Sequence, residues 1–256
     1  MTHISKNCPS PEPDPLVAGT KCALCLKETE LRNSHIIPEL LYRAVYDDKH
    51  RFHEISVAPD KRNNFVQKGI REPLLCEACE QHLSVNERYA SQFLNGGVGI
   101  GIRREGDRLY LSNLDYPKLK LFQLSILWRA GVSSLPAFSQ VSLGSHAERL
   151  RIMLANDDSG RSDDYGCLMF ALMLDQDQVQ GLIVQPTCAR LAGVRAYRFV
   201  FGGLIFVYVV SSIPPPAVLR PHFLRSDGTA VVKFEQLQNL GFLMGTLNKM
   251  VHLGKF

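Results

Sequence analysis

Along "CEACEQHLSVNERYASQFL" the positions that share one face recur at helical spacing, through Leu83, Asn86, Glu87, Ala90 and Phe93 or Leu94. Asn95-Gly96-Gly97 stops that predicted helix. The next stretch, "GVGIGIRREGDRLYLSN" over 97–113, reads as strand and predicts a hairpin turning at Glu105-Gly106-Asp107. From "YPKLKLFQLSILWRA" onward the composition shifts, with Tyr116-Pro117 as a boundary before a mostly apolar helix carrying Leu121, Leu124, Leu127 and Trp128. A further helix is expected at "LGSHAERLRIMLAN", where Ser145 is placed as N-cap with Glu148 as its partner in a capping box. Strand signals follow in "GCLMFALML", "GLIVQP" and "YRFVFGGLIFVYVVSS", then the break "IPPPAV", a short segment "TAVVKF" and a last helical region, "EQLQNLGFLMGTLNKMVHL".

This pattern predicts an α+β protein whose second half has a sheet core and several helices. Upstream, residues 21–95 hold two cysteine pairs separated by a polar, irregular middle, "YDDKHRFHEISVAPDKRNNFVQKG". The expected organisation is a flexible arm over 1–20, a metal-binding unit over 21–108 and an α+β domain of unassigned role over 109–256. The Pro-rich start has no apolar core of a signal peptide, so the cytoplasm is the expected location. The longest apolar run, Phe199 to Val210, is 12 residues and is broken by Gly202-Gly203, against about 20 needed for a membrane span. No membrane partner is expected, and the run reads as buried strands around a turn. There is no internal repeat.

Composition adds a constraint on partners. With 45% hydrophobic and 21% charged residues in 256, the chain belongs with folded globular proteins. Its net charge of +4 is uneven: residues 1–108 carry 15 Lys+Arg against 15 Asp+Glu, and residues 109–256 carry 14 against 10. A nucleic-acid footprint must therefore be local, or come partly from the second half.

Of seven cysteines, Cys22, Cys25, Cys76 and Cys79 form two CxxC pairs about 50 residues apart. In a chain without export signals that pattern favours thiolate ligation of one structural zinc over disulfides. Cys8 reads as a loop thiol, and Cys167 and Cys188 as core residues. A zinc bound by four cysteines is coordinatively full, so it holds the fold and leaves any chemistry to other groups, among them His35 in "SHIIPELL".

Taken together, "CALC", "SHIIP", "EPLLC" and "CEACE" resemble the zinc-stabilised HNH, or His-Me finger, endonucleases over roughly residues 21–95. The resemblance implies an N-terminal ββα-metal zinc finger, treble-clef-like, in which His35 ends the first strand and acts as general base on an attacking water. Glu80, directly after Cys79, is implied as ligand to a catalytic Mg²⁺ or Mn²⁺, ions that prefer oxygen. Glu72 stands where the family has its middle Asn; it is given a scaffold role across the His35 loop, or that of a second carboxylate ligand if turned inward. His82 and Asn86 share one face of the helix, and Glu80 and Glu87 another. Either set extends the metal site or is simply a solvated face, and His82 is carried as a candidate ligand.

The activity that follows is metal-dependent hydrolysis of phosphodiester bonds, with DNA as the expected substrate and RNA open. Arg43, Lys49, Arg51, Lys61, Arg62, Lys68 and Arg71 are the basic groups available to phosphates. His50 and His53 read as surface residues, and a homodimer or a regulatory protein partner is also open. The alternative is a non-catalytic zinc-stabilised module that binds nucleic acid or a protein. In that reading His35 merely packs beside Ile36 and Ile37 to fix its loop.

Overall fold

The computed structural model describes residues 21–55 and 62–255; the expected arm over 1–20, Cys8 and Lys61 lie outside them. The first elements are β1 (Arg32–His35), β2 (Arg51–Glu54), β3 (Asn64–Gln67), β4 (Arg71–Leu75) and α1 (Glu77–Leu94). β1 pairs antiparallel with β4, so that His35 faces Arg71 and Ser34 faces Glu72. The polar middle between them, expected to be irregular, contains a second hairpin, β2 with β3. Its apolar positions are only Phe52, Phe65 and Val66, too few for a periodic strand signal.

The rest of the chain forms β5 (Gly101–Glu105), β6 (Arg108–Ser112), α2 (Tyr116–Val132), α3 (His146–Ala155), β7 (Cys167–Leu174) and β8 (Asp177–Gln178). It continues with β9 (Val184–Leu191), β10 (Val194–Phe201), β11 (Leu204–Val209), β12 (Ala230–Gln236) and α4 (Gly241–His252). One eight-stranded sheet runs in the order β5-β6-β12-β7-β11-β10-β9, with β8 folded back on the end of β7. All pairings are antiparallel except β12 with β7. The division expected between 108 and 109 falls inside β6.

The central strands are apolar at nearly every position because both faces of the sheet are covered. Tyr197, Phe199, Phe201, Phe206 and Tyr208 turn to one face, and Ala196, Val200, Ile205, Val207 and Val209 to the other, as the two-residue period requires. The first face packs in one apolar cluster with α2 and the cysteine region. The second face packs under Leu219, Phe223 and Leu243.

α2 lies inside the molecule and has no polar face, as a fully enclosed helix must. Its start is fixed by Asp115, which accepts from the Lys118 amide at 3.1 Å, and by Pro117 in the first turn. Of its buried polar side chains, Lys120 Nζ donates to the Tyr165 carbonyl at 3.2 Å and Arg129 is bonded as described below, whereas Gln123 Oε1 and Trp128 Nε1 are buried with no hydrogen-bond partner among the described residues. Burial brings the Lys120 amine down to about 8.

Three local expectations differ. Ser145 makes no capping hydrogen bond, since its backbone is already helical at φ −63, ψ −18, and Glu148 is bound instead to Arg151 by two bonds of 2.8 and 2.7 Å. Cys188 is exposed on the edge strand β9, whereas Cys167 is buried. The last helical region begins at Gly241, since Glu235 and Gln236 belong to β12. Among the described residues no helix is long and apolar enough to cross a membrane.

Candidate metal centre and the His35 cluster

The β1–β4 pairing brings the two cysteine motifs together. Ala23 N–H donates to the Leu74 carbonyl at 3.0 Å, which lays "CALC" against the end of β4, and Cys76 then stands at the N-cap position of α1 with Cys79 in its first turn. The knuckle itself closes through Leu26 N–H to the Cys22 carbonyl at 2.9 Å, with Leu26 at φ +63. The Sγ atoms of Cys22, Cys25, Cys76 and Cys79 all lie within 4.8 Å of one another.

Four sulfurs about 2.3 Å from a tetrahedral zinc stand about 3.8 Å apart. Cys25 and Cys76 are 3.8 Å apart, and none of the described cysteines is in a disulfide. Burial raises the Cys22 thiol, but the amides of Cys25, Cys76 and Leu24 outweigh it and bring the group down to about 7. Burial pushes Cys79 up, and the Cys76, Cys22 and Cys25 thiols raise it further. One sulfur is thus ready to ionise beside another that resists charge, a conflict that a divalent cation removes when it binds thiolates. The Cys76 N–H points at Cys22 Sγ at 3.4 Å, and the Cys25 thiolate would lie near the Arg151 guanidinium. The cluster therefore fits a structural Zn²⁺.

His35 ends β1, with Ile36 and Ile37 buried behind it. Its Nε2 lies 2.9 Å from the Lys68 carbonyl, 2.9 Å from Arg71 Nε and in an ion-pair contact with Glu39. Arg71 Nε–H points at Nε2, whereas the Lys68 carbonyl and the Glu39 carboxylate are acceptors, so Nε2 is shared between one donor and two acceptors. The same Arg71 side chain donates to the Lys68 carbonyl at 2.6 Å and to Glu39 at 3.3 Å. Burial first, then Arg71, lower the His35 pKa below its usual 6.5, so the ring is neutral at pH 7.

Glu39 is the hub of this cluster. Its Oε1 accepts from Tyr46 at 2.9 Å and from His50 at 3.1 Å. Gly69 closes the far side: at φ +71, a Cβ there would meet His35 Cδ2 at 3.1 Å and Tyr42 Cε2 at 3.0 Å.

The other sequence candidates go elsewhere. The buried Glu72 carboxylate accepts from Ser134 N–H at 3.2 Å and Ser134 Oγ at 2.6 Å, so it is tied to the segment after α2 and not to the His35 loop. His82 Nε2 donates to the Leu154 carbonyl at 2.8 Å, with Asp157 3.4 Å away. Glu87 pairs with Arg129 at 2.5 Å, and Asn86 is buried. Glu80 sits in the first turn of α1, and its Oε1 is buried with no hydrogen-bond partner among the described residues. Among the described residues, the metal-competent group of three or more His, Cys, Asp or Glu side chains is the four cysteines; His35, Glu72, Glu80 and His82 form none.

Glu39, Tyr46 and Arg129 were missed as site residues. The signal for Glu39 was its spacing of four from His35; Arg129 had none, being one polar residue in an apolar helix. His50 is exposed, as read, yet bound to Glu39. Arg43, Lys49, Arg62 and Lys68 are exposed, whereas Arg51 is tied to Asp47 at 2.7 Å. No protein-family model, no curated relative and no solved structure matches the chain, so nothing outside the molecule ties the four-cysteine cluster to one family.

Proposed function

We propose that residues 21–94, from the first cysteine knuckle through α1, form a zinc-stabilised nucleic-acid-binding module of treble-clef-like ββα type, carried by the larger α+β unit that begins with β5. The observation that supports it most is the four-cysteine cluster, whose sulfurs close on one another and leave no coordination position for catalysis. Binding is the reading favoured over hydrolysis because Glu72 and His82 are engaged by Ser134 and Leu154, away from any second metal group. Nucleic acid is the partner favoured because the insert between β1 and β4 exposes Arg43, Lys49, Arg62 and Lys68. A reducing compartment such as the cytoplasm suits four thiolate ligands. The test is metal analysis together with salt-dependent binding of labelled DNA and RNA; a folded protein that holds no zinc, or binds neither polymer at low salt, rejects the reading.

One observation favours a second reading, an HNH-type endonuclease. His35 ends β1 beside the Glu39 carboxylate, and its ring is neutral at pH 7, the state from which it could take a proton from water. Glu80 would supply the carboxylate for Mg²⁺ or Mn²⁺. Plasmid nicking in either ion, lost in His35→Ala with zinc retained, would establish it; an inert wild type removes it.

A further inference from the structure

The β2–β3 hairpin presents two different faces. Phe52 is buried against Tyr42 and Tyr46, with ring centroids 5.5 and 6.3 Å away, and Val66 pairs with it. The alternation of side chains puts Arg51 and His53 on the opposite face, and the register places Gln67 and Phe65 directly across from them. Phe65 leaves 60% of its surface in water. His53 stacks on it at 4.8 Å and 17°, and the Arg51 guanidinium lies 4.5 Å from the ring centroid.

His53 and the Arg51 guanidinium both lie against the Phe65 ring, so the three form one stacked π assembly, in which His53 and Phe65 are exposed to solvent. Unpaired bases stack on such surfaces whatever their sequence. A duplex hides its base faces and gains nothing from them. Charge complements the assembly: Lys49 and Lys68 flank the end of the hairpin at Arg51 and Gln67, and Arg62 flanks the other end, about 10 Å along the strands. All three are exposed; of the acids alongside them Asp47 is bound by Arg51, while Asp48 adjoins Lys49 and Glu54 ends β2, so among the described residues the three cations and Arg51 outnumber these acids by one.

We propose that this hairpin binds single-stranded nucleic acid, with unpaired bases stacked on Phe65, His53 and Arg51 and phosphates held by Lys49, Lys68 and Arg62. The proposal rests on the nucleic-acid-binding reading above and names the form of the partner.

A cross-strand aromatic pair also stabilises a two-stranded hairpin, so the test must separate stacking from folding. Zinc-loaded full-length protein is titrated against fluorescein-labelled dT20, rU20 and a 20-base-pair duplex, and anisotropy is read. Wild type is expected to bind at least one single strand more tightly than the duplex. Phe65→Ala and Phe65→Leu are expected to weaken that binding about tenfold, corresponding to about 1.4 kcal/mol, with little change on duplex. Phe65→Trp is expected to restore it. Leu keeps an apolar side chain on the hairpin but has no ring, so wild-type affinity in Phe65→Leu overturns the stacking proposal alone. Equal or tighter binding of duplex overturns it too. Binding of none of the three polymers overturns the parent reading and this one with it.

Discussion

Arg129 Nη1 donates to the main-chain carbonyl of His35 at 2.9 Å, while Nη2 of the same guanidinium donates to Glu87 Oε1 at 2.5 Å. A side chain only 1% exposed on α2 thus ties the end of β1 to the middle of α1. Removing one member of a buried ion pair leaves the other partly uncompensated, at a cost of about 3–5 kcal/mol. Arg129→Ala should lose stability of that order in urea unfolding. A loss below about 1 kcal/mol would mean that the tie is not structural.

Cys76 offers a sulfur to the cluster from the N-cap position of α1, where its side chain makes no capping hydrogen bond, so Cys76→Ser removes a metal ligand without removing a cap. Since the free energy of metal binding is also folding free energy, Cys76→Ser should lose zinc and unfold the region around β1, β4 and α1. Hydrogen exchange across residues 21–94 would locate the loss. Unchanged protection there, with zinc gone, would separate the metal from the fold.

Glu72 and Ser134 form a second tie between β4 and the segment after α2. Hydrogen bonds to a charged group are worth about 1.5–3 kcal/mol. Ser134→Ala should cost less than Glu72→Ala, because the Ser134 amide still reaches the carboxylate. The double variant should cost less than the sum of the two, and strict additivity would deny the contact.

His146 accepts or donates at Nδ1 with Tyr165 at 3.0 Å, and burial first, then Arg149 and Arg195, hold its pKa below 6.5. Folding therefore favours the neutral ring. Its contribution is fully present above about pH 6.5 and is lost as pH falls through that value toward the folded-state pKa. Melting temperatures measured from pH 7.5 to 5.5 should fall less steeply in His146→Asn than in wild type. Equal slopes would contradict the assignment.

The α+β class, α1, α2 and the two-faced strands of the sheet were legible because each carries a long or strong apolar pattern. "YRFVFGGLIFVYVVSS" even marks its own turn at Gly202-Gly203, both at positive φ. The β2–β3 hairpin was not legible, since a short strand with one buried residue leaves no periodic trace. The capping box at Ser145 failed for a different reason: Ser145 is itself in helical conformation, and Arg151, three residues after Glu148, takes the carboxylate. The four-cysteine cluster followed from spacing alone, whereas the partners of Glu72, His82 and Glu87 depended on where α2 and α3 pack, which no local pattern encodes.

Zinc-stabilised nucleic-acid binding is tested most directly by one anisotropy titration of labelled single-stranded and duplex DNA and RNA, run on zinc-loaded protein and on protein stripped by a chelator. The account predicts binding that weakens with salt, disappears when the zinc is removed and returns when zinc is restored. Zinc-loaded, folded protein that binds none of these polymers at low salt, or stripped protein that binds them unchanged, would contradict it.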